Sequence, residues 1–263
     1  MTLIVHELKI NFKAFLIWFI SVAALCSGCI FLFPAVKETM KEMADSFGNM
    51  GGFSLAFGLD KLSIATMEGF FAAEIGTMYA LGGAMFAAML GISLLSKEEA
   101  LHTSEFLHTL PLGRIHIVTT KLIALAIFIT LFNLLHFLVF ILSFIIIGEN
   151  VDLQPVAIFM AAQYLMHLEV AGICFAVSSF CKRNQFGAGL GLTLVLYMLD
   201  IISRITEQME NLKYITPFYY SNAADIFADS GEVNGNLLLM GGLAIILCII
   251  LSCMVYGKRD LAS

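Results

Sequence analysis

The sequence predicts an all-α integral membrane protein with six transmembrane helices. The first reason is composition: 60% of the residues are apolar and only 13% are charged, where soluble domains carry about a quarter charged residues. The second is a mean hydropathy of +0.92. The third is length. A hydrocarbon layer of about 30 Å needs roughly 20 helical residues, and six runs reach that: 12–33, 72–95, 117–147, 155–180, 186–203 and 236–256. No segment between them has the composition of a soluble domain, so residues 1–263 read as one membrane domain. An even number of spans places both termini on one side.

The first span starts with an amphipathic stretch. Within residues 1–15, Ile4, Leu8, Phe12 and Phe15 share one helical face, while Thr2, His6, Lys9 and Lys13 share the other. Such a segment is expected to lie in the headgroup layer before turning inward. The apolar run after it ends at "CSGC" like a secretion signal, but about 20 residues exceed the roughly 7–15 of a signal core. An uncleaved first span is expected.

Lysine and arginine placement sets the orientation. With the N-terminus inside, inner segments hold nine (Lys9, Lys13, Lys97, Arg114, Lys121, Lys182, Arg183, Lys258, Arg259) and outer segments five (Lys37, Lys41, Lys61, Arg204, Lys213). The short loops agree: "CKRNQ" (181–185) is basic and "GENVDLQ" (148–154) acidic.

Two long outer segments, 34–71 and 204–235, are apolar but interrupted. The first has Val36, Met40 and Met43 at helical spacing, and the second contains "ITPFYYSNAADIFADSG". They read as short capping helices, as re-entrant pieces shielded by protein, or as loosely structured surface. The C-x-x-C of Cys26 and Cys29 lies inside a span without a second ligand pair, so the cysteines read as packing residues rather than a zinc or thiol-exchange site.

The most polar stretch is "SKEEALHTSEFLHTLPLGR" (96–114), between spans two and three. Ser96 and Glu99 form S-x-x-E, a capping box that predicts a helix starting at Lys97, and Pro111 with Gly113 would end it. Thr103, Phe106, Leu107 and Leu110 then share one face; Glu98, His102, Glu105 and Thr109 share another. Periodicity alone fits either a solvated connector or a docking element that transmits displacement into the spans.

The run "LLSKEEALHTSEFLHTLPLGRIHIVTTKL" resembles the loop after the second span of ABC-2 type permeases, the membrane subunits of a class of bacterial ATP-driven exporters. Glu98, Glu99, Thr103, Glu105, Leu107, Pro111, Arg114, Ile117 and Lys121 carry the match, and "ITPFYY" and the terminal "YGKRDL" extend it over nearly the whole chain. His102 departs from the small residue usual before the Thr. The resemblance implies that Glu98, Glu99, His102, Thr103, Glu105, Phe106, Leu107, Leu110, Pro111 and Arg114 form a short cytoplasmic coupling helix seated on an ABC ATP-binding subunit. It implies a bacterial cytoplasmic membrane, with both termini cytoplasmic, and no role in nucleic-acid binding. The chain has no G-x-x-x-x-G-K-[ST], so no ATPase activity is expected of it. ATP and magnesium would belong to the partner, and six spans imply a second permease subunit, identical or not.

Ionisable and polar groups inside spans need partners or a function. Gln163, His167, Cys174 and Ser178 line one face of span four, with Glu169 about 200° from His167; Thr130, Asn133 and His136 line span three. Glu169, His167, Gln163, Asn133 and His136 are therefore candidates for a translocation path, with interhelical packing and ion coupling as competing readings. Asp200 can pair with Arg204 one turn later. Gly83, Ala87 and Gly91 in span two, with Gly187 and Gly191 in span five, permit close helix approach, including a dimer seam. An exporter of amphipathic or hydrophobic cargo, such as a peptide toxin, antimicrobial peptide or drug, is the expected function. The rivals are an ion-coupled carrier using Glu169, His167 or Asp200, and an intramembrane protease, for which no H-E-x-x-H is present.

Overall fold

Residues 2–100, 113–181, 185–228 and 232–258 of the computed structural model are described, and they contain six helices long and apolar enough to cross a membrane. No strand occurs among the described residues. Each of the six observed helices includes nearly all of a run predicted from hydropathy. The chain is an all-α integral membrane protein.

Helix α1 (Thr2–Gly48) has 47 residues and at 1.5 Å per residue is about 70 Å long, more than twice the hydrocarbon thickness. The expected turn out of a headgroup-bound N-terminal segment does not occur, since residues 2–48 are one helix. The reason lies in Glu7, which is 1% exposed and pairs with lysines of the next two spans. A helix anchored in the bundle through a buried carboxylate continues inward rather than lying flat in the headgroups, even though His6, Lys9 and Lys13 stay exposed. At the other end Pro34 lies inside the helix, although it cannot donate to the carbonyl one turn back. The first part of the predicted outer segment 34–71 is thus a continuation of α1.

The rest of that segment folds back over the bundle. Helix α2 (Gly52–Phe57) is followed by Gly58 at φ 68°, where a Cβ would stand 2.1 Å from the Ala224 Cβ. Only glycine fits that contact. Helix α3 (Met67–Phe70) is capped by the Thr66 hydroxyl accepting from the Gly69 N–H at 3.1 Å. It runs through a π-helical turn, Phe71–Gly76, into α4 (Thr77–Ala100).

Helix α5 (Arg114–Ile147) ends at Gly148, whose φ of 72° stops the helix. Helix α6 (Leu153–Ser178) starts on Asp152, whose carboxylate accepts from the Gln154 N–H at 2.9 Å. Helix α7 (Phe186–Ile205) leads through a 3-10 turn (Glu207–Tyr214) to α8 (Ala223–Ala228), and α9 (Gly235–Lys258) is the sixth span. The Arg114 guanidinium donates to the Gly257 carbonyl at 3.3 Å, so the start of α5 and the end of α9 share the end of the bundle that holds Glu7. This is the proximal end of the bundle, and the opposite one is distal.

Helix α4 is central because its small residues let neighbours approach. A Cβ on Gly83 would lie 2.3 Å from the His167 ring, and one on Gly91 2.5 Å from the Ala171 carbonyl oxygen. The Gly83, Ala87, Gly91 stripe therefore serves packing against α6 within the chain. Gly187 and Gly191, by contrast, face open space. Aromatic rings fill what remains: Phe71 is fully buried among Phe140, Phe144, Phe159 and Phe227, with centroids 5.3 to 5.8 Å away. Edge-on contacts of this kind add to plain burial. The outer face of α9, with Leu239, Leu243 and Leu247 each at least 60% exposed, is apolar surface suited to lipid.

Close packing at Gly91 has a measurable consequence. Gly91→Val should lower the detergent-solubilised melting temperature, because overpacking against backbone costs about 1–3 kcal/mol, whereas Gly191→Val should leave it nearly unchanged. Equal tolerance at both positions would contradict the α4–α6 seam.

Candidate functional site

Polar side chains occur at three levels along the bundle. At the proximal end Glu7 of α1 accepts from Lys121 of α5 at 3.0 Å and from Lys97 of α4. Lys121 is fully buried and also donates to the Leu94 carbonyl at 2.5 Å. The Asn11 amide supports Glu7 from one turn along, reaching its carbonyl at 2.8 Å and its carboxylate at 3.3 Å. One carboxylate thus ties three spans at the root of the loop between α4 and α5. The family-like run points to Lys121; nothing local in the sequence marks Glu7.

The loop itself lies largely outside the described residues. His102, Thr103, Glu105, Phe106, Leu107, Leu110 and Pro111 fall there, and Glu98 and Glu99 are described only as backbone in the last turn of α4. The expected helix start at Lys97 is corrected. Ser96 lies inside α4, fully buried, and its hydroxyl donates to the Ile92 carbonyl at 2.8 Å. Span two therefore continues through Ser96 without a new N-cap, since a serine hydroxyl inside a helix can satisfy itself on the preceding turn. Arg114 is the first residue of α5 and Ile117 is buried beneath it.

At mid-bundle the structure joins two of the candidate path residues. The Asn133 carbonyl oxygen accepts from Tyr79 Oη at 2.7 Å and lies 3.2 Å from His167 Nδ1, while its amide donates to the Ile129 carbonyl at 2.8 Å. Tyr79 is fully buried, and sequence reasoning missed it. These groups bind α4, α5 and α6 together. His136 hydrogen-bonds elsewhere, with Nδ1 2.8 Å from the Phe132 carbonyl, while its ring lies 5.1 Å from that of Tyr79 and 4.1 Å from that of Phe132. Its Nε2 is buried without a hydrogen-bond partner among the described residues.

The other two candidates face the segment after α7. The Gln163 amide donates to the Ser221 carbonyl at 2.7 Å, and Tyr220 Oη donates to Glu169 Oε2 at 2.8 Å. The Thr216 hydroxyl donates to the Leu196 carbonyl, in the middle of α7, at 2.8 Å. Residues 216–221 therefore dip between the spans, as a re-entrant piece shielded by protein. Gly241 of α9 closes over the acid: a Cβ there would lie 2.7 Å from Glu169 Oε2. Glu169 and His167 face different neighbours, as the helical angle between them requires.

The distal end is tied by Arg204. It donates to Asp200 at 3.0 Å, to Asp225 of α8 at 2.7 Å and to the Tyr219 carbonyl at 3.0 Å, and its guanidinium stands 4.4 Å from the Tyr219 ring centroid. Lys61 reaches Asp225 at 2.7 Å from the segment between α2 and α3. Burial acts to raise the Asp225 carboxyl, but the Arg204 charge and the hydrogen bonds from Lys61 and Arg204 outweigh it and hold it below the ordinary aspartate value. The expected Asp200–Arg204 pair is present, within a larger network than the sequence revealed.

No group of three or more metal-ligating side chains occurs among the described residues. The profile of a family described as "ABC-2 family transporter protein" matches residues 1–261. No curated protein matches the chain.

The Glu169 contact can be tested by stability. Tyr220→Phe leaves a buried carboxylate without its donor and should cost about 1–3 kcal/mol, seen as a lowered melting temperature. Glu169→Gln keeps an acceptor for Tyr220 and should lose less. The reverse order would contradict the geometry.

Proposed function

The chain belongs to the ABC-2 family of transporter proteins, and from that membership we propose that it is the permease of an exporter powered by a separate ATP-binding subunit. The observation that carries the reading is the family match over residues 1–261, supported by the Glu7–Lys97–Lys121 node at the root of the loop. A docking segment transmits force only if its ends are fixed to the spans, and this node fixes both.

In this reading residues 97–110 seat on the ATP-binding subunit. Phe106, Leu107 and Leu110 are its apolar anchors, with Glu98, Glu99, His102, Thr103, Glu105, Pro111 and Arg114 around them. ATP and magnesium are held by the partner, and a second permease chain completes the pathway. The proximal end faces the cytoplasm, which the distribution of lysine and arginine favours. Cargo is amphipathic or hydrophobic and passes along a route that borders Glu169, His167, Gln163, Asn133 and His136. The ion-coupled alternative is weakened because Asp200 is already committed to Arg204.

Central apolar anchors carry most of an interface's energy and rim charges little. Phe106→Ala should therefore weaken recovery of the co-expressed ATP-binding subunit by on the order of 2 kcal/mol, roughly thirtyfold, and Glu105→Ala by much less. Full recovery and full ATP-dependent export by a Phe106→Ala, Leu107→Ala double variant would contradict docking through this segment.

A further inference from the structure

A cavity of about 250 Å³ lies at the distal end between α1, α2 and the root of α4. Phe47, Phe53, Phe57 and Phe70 wall it, and Glu74 and Thr77 are its polar groups. The Phe53 and Phe57 ring centroids are 4.9 Å apart and those of Phe47 and Phe53 are 6.5 Å apart, so three rings form a continuous aromatic surface. Phe53 is 46% exposed, which leaves that surface accessible.

Glu74 belongs to the π-helical turn Phe71–Gly76 and its side chain is exposed. Turns of this kind inside longer helices are frequent at functional sites. The carboxylate has no cationic partner among the described residues. Every basic residue of the two outer segments is committed elsewhere: Lys37 to Glu149, Lys41 to Glu38, Lys61 to Asp225, Arg204 to Asp200 and Lys213 to Glu210, all within 3.0 Å. An ionisable group set in an apolar stretch of a span is costly unless a counter-charge meets it.

Aromatic faces beside a single carboxylate attract organic cations, through the ring quadrupole and the ion pair together. The geometry points to this cavity as a binding site for an organic cation with an apolar body, a small aralkylammonium or the ammonium end of a larger amphiphile. Ligand pockets commonly measure about 300–1,000 Å³, and this one is near the lower bound, so a single such group fills it. The site lies on the far side of the membrane from the proposed ATPase docking loop. It is thus where cargo rests before release. The inference rests on the permease reading for its role as a cargo site, but the binding itself does not.

The test uses the full chain in an uncharged maltoside detergent with radiolabelled benzyltrimethylammonium as probe. Wild type should bind it saturably, and benzyl alcohol, the uncharged analogue, should compete at least tenfold less well than unlabelled probe. Glu74→Gln should weaken binding tenfold or more, Glu74→Asp less, and Phe53→Ala, at an exposed position, severalfold without altering the elution profile. No saturable binding to wild type, equal competition by the neutral analogue, or unchanged binding by Phe53→Ala and Glu74→Gln would each overturn the proposal. Displacement of the bound probe by phosphatidylethanolamine at lower concentration than by unlabelled probe would assign the cavity to a membrane lipid headgroup rather than to cargo and overturn it as a cargo site. Recovery of the ATP-binding subunit on the same preparations reports the permease reading separately, so one can fail without the other.

Discussion

A buried carboxylate held by two lysines organises the proximal half of this protein. Glu7 and Lys121 are 1% and 0% exposed, and charges so enclosed are tolerable only when paired and hydrogen-bonded. The pair links residues 114 positions apart, and Lys97 joins it from a third helix. Because Glu7 must reach inward, α1 cannot lie flat in the headgroups and continues straight into the first span. Because Lys97 and Lys121 flank the loop between α4 and α5, both ends of that loop are held at one point.

The distal end uses the same chemistry for a different purpose. Arg204 joins α7 to α8 and to the backbone at Tyr219, and Lys61 draws in the segment between α2 and α3. The two long distal segments are thereby tied to each other rather than left as independent loops. Between the two ends, contacts are mainly aromatic and close glycine-mediated packing, with neutral hydrogen bonds around Asn133 and one acid, Glu169, under Tyr220. Polar groups of this sort in a membrane interior are worth under about 2 kcal/mol each, so the charged ends supply the stronger polar ties, while the middle is held chiefly by close packing.

Much of the architecture is legible in the sequence because the bilayer fixes helix length and composition. The six spans emerge from hydropathy alone, the Asp200–Arg204 pair from i,i+4 spacing, and the opposed directions of His167 and Glu169 from 100° per residue. What escapes is set by contacts distant in sequence. Glu7 is inconspicuous in an amphipathic stretch because its lysines lie 90 and 114 residues away. Tyr79, Tyr220 and Glu74 escape for the same reason: a single polar residue in an apolar run does not reveal what it faces. The capping box at Ser96 misleads because S-x-x-E describes a helix interior as well as a start, and the hydroxyl here bonds back to Ile92.

The central claim is that the Glu7–Lys121 pair, and not general apolar packing, fixes α1 against α4 and α5. A double-mutant cycle of Glu7→Gln and Lys121→Met, read as melting temperature of the detergent-solubilised chain, tests it most directly. Breaking a buried pair from one side costs about 3–5 kcal/mol, so each single change should lower the melting temperature by on the order of 10 °C. The double variant should lose clearly less than the sum of the two single ones, because both single changes break the same Glu7–Lys121 contact. Additive losses, or single variants that melt like the wild type, would show that the two residues act independently and would contradict the account.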